Sequence, residues 1–169
     1  MRRTLVCAVF ASLAGIAAAT MGGGASGAKA QGQQAADAEG VRAALSAFYA
    51  ALNARDIRAM EALWSRDAEP IMIHPAGPHA RAPVVGWEAI RRSFEEAWPR
   101  FEEFRVTVNE PVQVRVGQGG AVAVAVTPVR QKVRGGAALD YTALATFAFE
   151  RRDGRWLLVH HHASRVPQQ

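Results

Sequence analysis

The spacing of apolar residues changes part-way along the chain, from helical steps of three and four to the alternation typical of strands. Between residues 37 and 98 the apolar positions fall at helical spacing in three segments, with one short extended segment among them. From residue 104 onward, β-branched and aromatic runs are separated by turns that contain Gly or Asp. The pattern predicts helices followed by an antiparallel meander. This order defines an α+β domain whose helices pack on one face of the sheet.

Three helices are predicted in the first half of the chain. Asp37 and Asp56 suit the N-caps of the first two, because a short carboxylate can accept the unpaired amide hydrogens of a first turn. The third helix starts at Gly86 and stops at Pro99, which cannot continue a helix. The first helix is predicted to bury an apolar stripe formed by Val41, Leu45, Phe48 and Leu52.

Six strands are predicted. A short one at 70–74 precedes a loop rich in Pro and Gly that runs to Pro83. The longer ones lie at 104–110, 112–116, 121–133, 141–151 and 156–164. Because Gly and Asp favour tight hairpin connections, the turns between the last of these strands are expected to join neighbours in one sheet.

Residues 1–30 are typical of a secretory signal peptide. Two arginines precede an uncharged apolar stretch at 5–19, and Ala28 and Ala30 form a small-x-small cleavage site. The apolar stretch is too short for a confident membrane span. We therefore expect an exported protein, periplasmic or secreted.

The mature chain is expected to begin with a polar tail at 31–36 and to fold as one domain over 37–166. Loss of the signal removes three basic residues and no acidic ones, so 17 basic and 15 acidic residues remain and the net charge falls from +5 to +2. Such a weak charge gives no reason to expect nucleic acid as a partner. The mature part also contains no stretch suited to a stable membrane span.

Three consecutive histidines lie in the last predicted strand. Because side chains alternate between the two faces of a strand, one face is predicted to carry Leu158, His160, His162 and Ser164. His161 is predicted to point the other way. Imidazole titrates near neutral pH, so two of them on one face can transfer protons, bind a metal or line a pocket with hydrogen bonds.

Four segments of the chain carry a resemblance to a known family. They are FYAALNARD at 48–56, LWSRDA at 63–68, HPAGP at 74–78 with GWEAI at 86–90, and DGRWLLVHHHAS at 153–164. In their order and spacing the chain resembles the nuclear transport factor 2-like superfamily and, within it, the SnoaL-like group.

The resemblance implies a cystatin-like cone in which a curved antiparallel sheet wraps around three N-terminal helices. It also implies a ligand pocket at the open end and a homodimer formed through the outer sheet faces. The superfamily is similar in shape across isomerases, dehydratases, polyketide cyclases and assembling domains. The pocket residues must therefore decide the function.

Ketosteroid isomerase is the nearest catalytic comparison that this resemblance offers. Phe48 stands where that enzyme has the tyrosine that donates to the developing oxyanion, and His74 stands where it has the aspartate base. Loss of the donor argues against steroid enolisation, because oxyanion stabilisation is the largest single contribution to such catalysis. Tyr49 lies one position away and about 100° round the helix, so it cannot simply take the place of the missing donor.

The resulting hypothesis is a binding protein for a small, mostly apolar molecule. The residues expected to line its pocket are Phe48, Trp64, His74, Trp87, Leu158, His160, His162 and Ser164. An enzyme of isomerase, dehydratase or cyclase type is the main alternative, with His74 as general base and His162 as a second catalytic residue.

A metal site and an assembly module also remain open. Two imidazoles two positions apart on a strand are about 6.6 Å apart and can share one zinc ion. His160 and His162 would then need a third ligand, either His74 or His79. Without a metal, no cofactor is expected. An assembly module would resemble the calmodulin kinase association domain, with a vestigial pocket.

Overall fold

Helices and strands follow one another in the predicted order. The computed structural model describes residues 23–75 and 81–167. Its helices are α1 (Gly23–Ala54), α2 (Ile57–Glu61) and α3 (Trp87–Ala97), and a 3-10 turn at Trp98–Arg100 follows α3. Its strands are β1 (Ile71–Ile73), β2 (Val84–Val85), β3 (Phe101–Val106), β4 (Asn109–Val116), β5 (Gly120–Val133), β6 (Ala138–Arg152) and β7 (Arg155–Arg165).

All seven strands belong to one curled sheet with the order β2-β1-β7-β6-β5-β3. β4 pairs with β5 on the same edge as β3, along residues 121–126, whereas β3 pairs along residues 129–133. Neighbouring strands are antiparallel except β1 and β7, which run parallel. The concave face packs against α1 and α3, so the core lies between helices and sheet. The inner positions of β5 include Ala121, Ala123 and Ala125, whose small side chains let the helical layer approach closely.

The first helix differs from its prediction at the N-terminal end. It includes Gly23–Ala54, so Asp37 lies inside it, and the predicted polar tail at 31–36 is helical and exposed. Ala and Gln are good helix formers, and this segment contains no proline that would end the helix. The Asp37 carboxylate instead accepts hydrogen bonds from Arg151 (2.7 Å) and Gln33 (3.0 Å). Over the described residues, no helix is both long and apolar enough to cross a bilayer.

The other helix boundaries match the sequence closely. Asp56 caps α2, and its carboxylate accepts from the amides of Arg58 and Ala59 at 3.0 Å. Gly86 precedes α3 with a φ of 83°, a left-handed conformation that suits glycine. The two-residue strand β2 was not predicted, and the predicted strand at 104–110 divides between β3 and β4.

A β-bulge interrupts the alternation of β7. Leu158 pairs with Phe149, and His160 pairs with the preceding residue of β6, Ala148, so Val159 has no partner opposite it. An extra residue reverses the face on which all following side chains lie. Leu158 is therefore buried on the concave face, and so is His161, three positions later.

The turn that precedes β5 offers a direct test of this packing. A Cβ added to Gly120 would lie 2.6 Å from the carbonyl oxygen of Phe149, whereas one added to Gly119 would meet nothing within 4 Å. We expect Gly120→Ala to lower the free energy of unfolding by about 1–3 kcal/mol, since backbone must shift to relieve the clash. Gly119→Ala is the matched control and should change it little. Urea unfolding measures both, and equal stabilities would contradict the close approach of Gly120 to β6.

Candidate functional site

A cavity of about 310 Å³ lies between the concave sheet face and helices α1 and α3. Most of its wall is apolar, and small side chains such as Ala143, Ala145 and Ala163 leave the space open on the sheet side. Its polar lining residues are Tyr49, His74, Arg100, Thr127, Gln131, Tyr141 and His161. Among the described lining residues none is acidic.

Two of the residues predicted to line the pocket do so. Phe48, from the middle of α1, and His74, just after β1, both contribute to the cavity wall. Three others are not among its lining residues: Trp64, Trp87 and Leu158 are buried elsewhere in the core. Their apolar character correctly predicted burial but could not distinguish core from cavity wall.

The prediction for the histidine run was wrong about its faces. His160 and His162 pair with Ala148 and Thr146 on the outer face of the sheet, and Ser164 is exposed there. His161 is the histidine that enters the cavity. The bulge at Val159 is the physical reason, because the prediction continued the alternation of Leu158 without interruption.

His161 is enclosed by aromatic rings. It lies with its ring centroid 5.1 Å from that of Phe48 and 4.7 Å from that of Phe147, and its backbone pairs with Met72 of β1. Only 8 % of its surface is exposed. Burial, and then the nearby His74, His160 and His162, lower the pKa of His161 from 6.5 to about 3. The imidazole is therefore neutral near pH 7.

His74 is held by the third helix. Its Nε2 atom lies 3.2 Å from the Ser93 hydroxyl, which itself donates to the carbonyl of Ile90 at 2.7 Å. Because the hydroxyl hydrogen is used on Ile90, the Ser93 oxygen accepts the Nε2 hydrogen of His74. In the neutral ring Nδ1 is then the basic nitrogen. His162, the second catalytic residue of the enzyme alternative, lies on the outer face of the sheet and so does not join His74 at the cavity.

The proposed metal ligands are not brought together. His74 lines the cavity, whereas His160 and His162 lie on the outer face. Within residues 23–75 and 81–167, no group of three His, Cys, Asp or Glu side chains could hold a metal ion. His79, the other suggested third ligand, lies outside the described residues.

Tyr49, which was not among the predicted pocket residues, also lines the cavity. Its hydroxyl is buried beside Thr127 without completing a regular hydrogen bond, and burial raises its pKa. The cavity therefore contacts α1 at two consecutive residues, Phe48 and Tyr49. Gln131 was also missed, although it alternates with the charged Arg130 and Lys132 and shares the face of Val129.

These groups allow two kinds of chemistry in an apolar space. His74 offers a basic nitrogen that could take a proton, and His161 offers a neutral N–H or nitrogen that could hydrogen-bond a ligand. The surrounding apolar wall excludes water and strengthens such interactions. The one full positive charge on the described wall is Arg100, whose residue is exposed to solvent.

Comparison with known proteins gives a family match over most of the chain. A family model described as a SnoaL-like domain matches residues 41–169. Among curated proteins none matches the chain.

Several solved structures share the fold. A candidate dehydratase of the NTF2-like family from Streptomyces avermitilis is 22% identical, with a TM-score of 0.69 over 79% of this chain and 99% of that one. A candidate calcium/calmodulin-dependent protein kinase type II association domain from Thiobacillus denitrificans is 28% identical, with a TM-score of 0.62 over 75% and 94%. An NTF2-like protein with a cystatin-like fold from Novosphingobium aromaticivorans is 17% identical, with a TM-score of 0.66 over 89% and 94%. These similarities confirm the predicted cone.

The buried His161 should make the free energy of unfolding depend on pH. Between pH 6.5 and about 3 the unfolded chain binds a proton at this residue that the native protein does not. Stability should therefore fall as the pH falls through this window, by up to about 1.4 kcal/mol per pH unit from this group. Urea unfolding at several pH values measures the slope.

His161→Gln should reduce that slope because glutamine does not titrate. His160→Gln is the matched control, since partial burial and His162 lower the pKa of His160 while its ring stays on the outer face. It should change the slope less. Identical slopes for the native protein and His161→Gln would show that the His161 ring is not buried in the native protein.

Proposed function

Because the chain belongs to the SnoaL-like domain family, we propose that it binds a small, mostly apolar molecule in the cavity between its sheet and helices. The size of the cavity supports this proposal. At about 310 Å³ it lies at the lower end of the range, about 300–1,000 Å³, that is usual for small-molecule sites. A vestigial pocket would instead be filled by side chains.

The composition of the wall supports the same proposal. Apolar and aromatic groups form most of it, and a few polar groups converge on the space, among them His74, Gln131 and His161. Such a wall favours a mostly apolar ligand, because the apolar surface of the ligand is buried there. A small number of hydrogen bonds then fixes the orientation of the ligand. The absence of acidic groups from the described lining residues makes a cationic ligand a poor fit.

Binding can be tested with the neutral fluorescent probe N-phenyl-1-naphthylamine. The native protein should enhance its fluorescence saturably, because the probe leaves water for the cavity. Ala145→Phe should abolish this, since Ala145 lines the cavity and a phenyl ring there would occupy it. The control is Ala148→Phe, which adds the same group to the opposite face of β6. Equal probe binding by both variants, with native circular dichroism, would rule out the cavity as the binding site.

Catalysis with His74 as general base is the second candidate. The observation in its favour is that Ser93 fixes the His74 ring at the cavity wall with Nδ1 as the basic nitrogen. A structurally similar protein is a candidate dehydratase, although at 22% identity. His74→Ala separates the two candidates. An enzyme should retain probe binding in this variant but lose turnover of the molecule that co-purifies with it, whereas a binding protein has no turnover to lose.

We also propose that the exported chain forms a homodimer through the outer face of the sheet. The outer face is defined by the outward side chains of β5, β6 and β7, including Val122, Val124, Val126, Leu144, His160 and His162. Four of these are large exposed hydrophobic residues on two neighbouring strands. Contiguous exposed apolar surface of this kind is typical of a protein interface. None of these six described side chains is acidic, so a second copy can meet them without charge repulsion.

Native mass spectrometry of protein isolated from its own periplasm tests the dimer and export together. It should give a dimer of chains that begin at Gln31. Val124→Glu should give monomers, because two carboxylates would be buried opposite an apolar face. Leu139→Glu is the control: Leu139 is exposed to 40 %, against 39 % for Val124, but pairs with Gln131 on the concave side. A native monomer, or dimers of both variants, would contradict the proposed interface, and full-length chains would contradict export.

A further inference from the structure

The two ring nitrogens of His161 face different surroundings. Nδ1 is wholly enclosed and meets no hydrogen-bond partner among the described residues. The small exposed part of the residue opens onto the cavity, and Nε2 is not among the enclosed, unpartnered atoms. The Nε2 side of the ring is therefore the side that a ligand can reach.

This asymmetry determines which nitrogen carries the proton. A buried N–H without an acceptor is rarer in proteins than a buried acceptor without a donor, because the hydrogen loses water and gains nothing. Placing the proton on Nδ1 would create such a group between Phe48 and Phe147. Placing it on Nε2 leaves the N–H free to bond a ligand. The neutral ring is therefore the Nε2–H tautomer.

The surroundings keep the ring neutral. The titratable groups near it are His74 across the cavity and His160 and His162 on its own strand. All three lower the pKa of His161 and so disfavour a positive charge on its ring. Tyr49, on α1, also lines the cavity, but burial raises its pKa and so keeps it uncharged. Because no acidic residue is among the described lining residues, nothing there would stabilise an imidazolium.

Two other polar groups of the cavity wall are already engaged in hydrogen bonds. His74 gives its Nε2 hydrogen to Ser93, and Thr127 gives its hydroxyl hydrogen to the carbonyl of Ala143 at 3.2 Å. The Tyr49 hydroxyl has no partner among the described residues but is wholly enclosed beside Thr127, so a ligand does not reach it. His161 therefore presents an N–H that has no acceptor among the described residues, in an apolar part of the wall.

We infer that His161 is the hydrogen-bond donor that orients the ligand, and that the ligand is an apolar molecule with a neutral carbonyl oxygen at its buried end. This inference rests on the proposed function, that the cavity binds a small apolar molecule. A carboxylate would fit this position poorly, because it would lose its hydration beside a neutral imidazole, while Arg100, the one full positive charge on the described wall, is exposed to solvent. A ketone or aldehyde oxygen loses far less hydration and needs only one donor.

A pair of matched probes tests the inference. 2-Acetylnaphthalene and 2-isopropenylnaphthalene have nearly the same shape, but the first has a carbonyl oxygen where the second has a methylene group. The measured quantity is the ratio of their dissociation constants in the native protein, in His161→Leu and in His161→Gln. Comparing ratios cancels the different hydration of the two probes, which is the same for every variant.

The preference for the ketone should fall about tenfold in His161→Leu, which removes one hydrogen bond. It should largely return in His161→Gln, whose amide can donate. The carbonyl stretching band of the bound ketone should also lie at lower frequency in the native protein than in His161→Leu. An unchanged ratio in His161→Leu would overturn the inference while leaving cavity binding intact.

Failure of both probes to bind the native protein would overturn the proposed function and this inference together. A measurement on the native protein tests the inference even if the variants do not fold. The ¹⁵N chemical shifts of the His161 ring distinguish the two neutral tautomers. A proton on Nδ1 would overturn the inference, and a proton on Nε2 is the expected result.

Discussion

The pairing of β6 with β7 is the constraint on which the cavity depends. Phe147 and His161 are opposite one another in this pairing, and both side chains point to the concave face. The bulge at Val159 sets that register. If the alternation continued from Leu158 without the extra residue, both His160 and His162 would point to the concave face, and two imidazoles would replace the single buried one. One unpaired residue therefore decides how many titratable groups the cavity contains and where they lie.

The same register separates two surfaces with different properties. The concave face encloses an apolar space with one neutral imidazole and a second one held by Ser93. The outer face carries exposed valines and the other two histidines of the run, His160 and His162. Because neighbouring residues of a strand point to opposite faces, strands β5, β6 and β7 contribute side chains to both surfaces. A substitution at one position of these strands can therefore alter ligand binding or self-association while leaving the other surface intact.

The cavity departs from a general acid–base site in one electrostatic respect. Full burial makes His161 a poor base at neutral pH, since its pKa is far below 7. The same burial makes it a dependable neutral donor, because it does not change its charge in the physiological range. His74 lies on the cavity wall, is only partly buried and is bonded to Ser93 of α3, so it is better placed to act as a base. The two histidines thus suit different roles, and the family match alone assigns neither of them.

The sequence by itself determined the α+β class, the order of the elements, the cap at Asp56 and the apolar core. These depend on periodicity and on local chemistry, which are properties of neighbouring residues. It also indicated that Phe48 and His74 lie at the cavity, through their place in a recognised pattern. Only the tertiary structure decided which histidine enters the cavity, which tryptophans stay in the core and whether Tyr49 reaches the wall. These outcomes depend on strand register and sheet curvature, which arise from contacts between residues far apart in the chain. Strict alternation could not reveal the bulge, because Val159 is as well suited to a regular strand as its neighbours are.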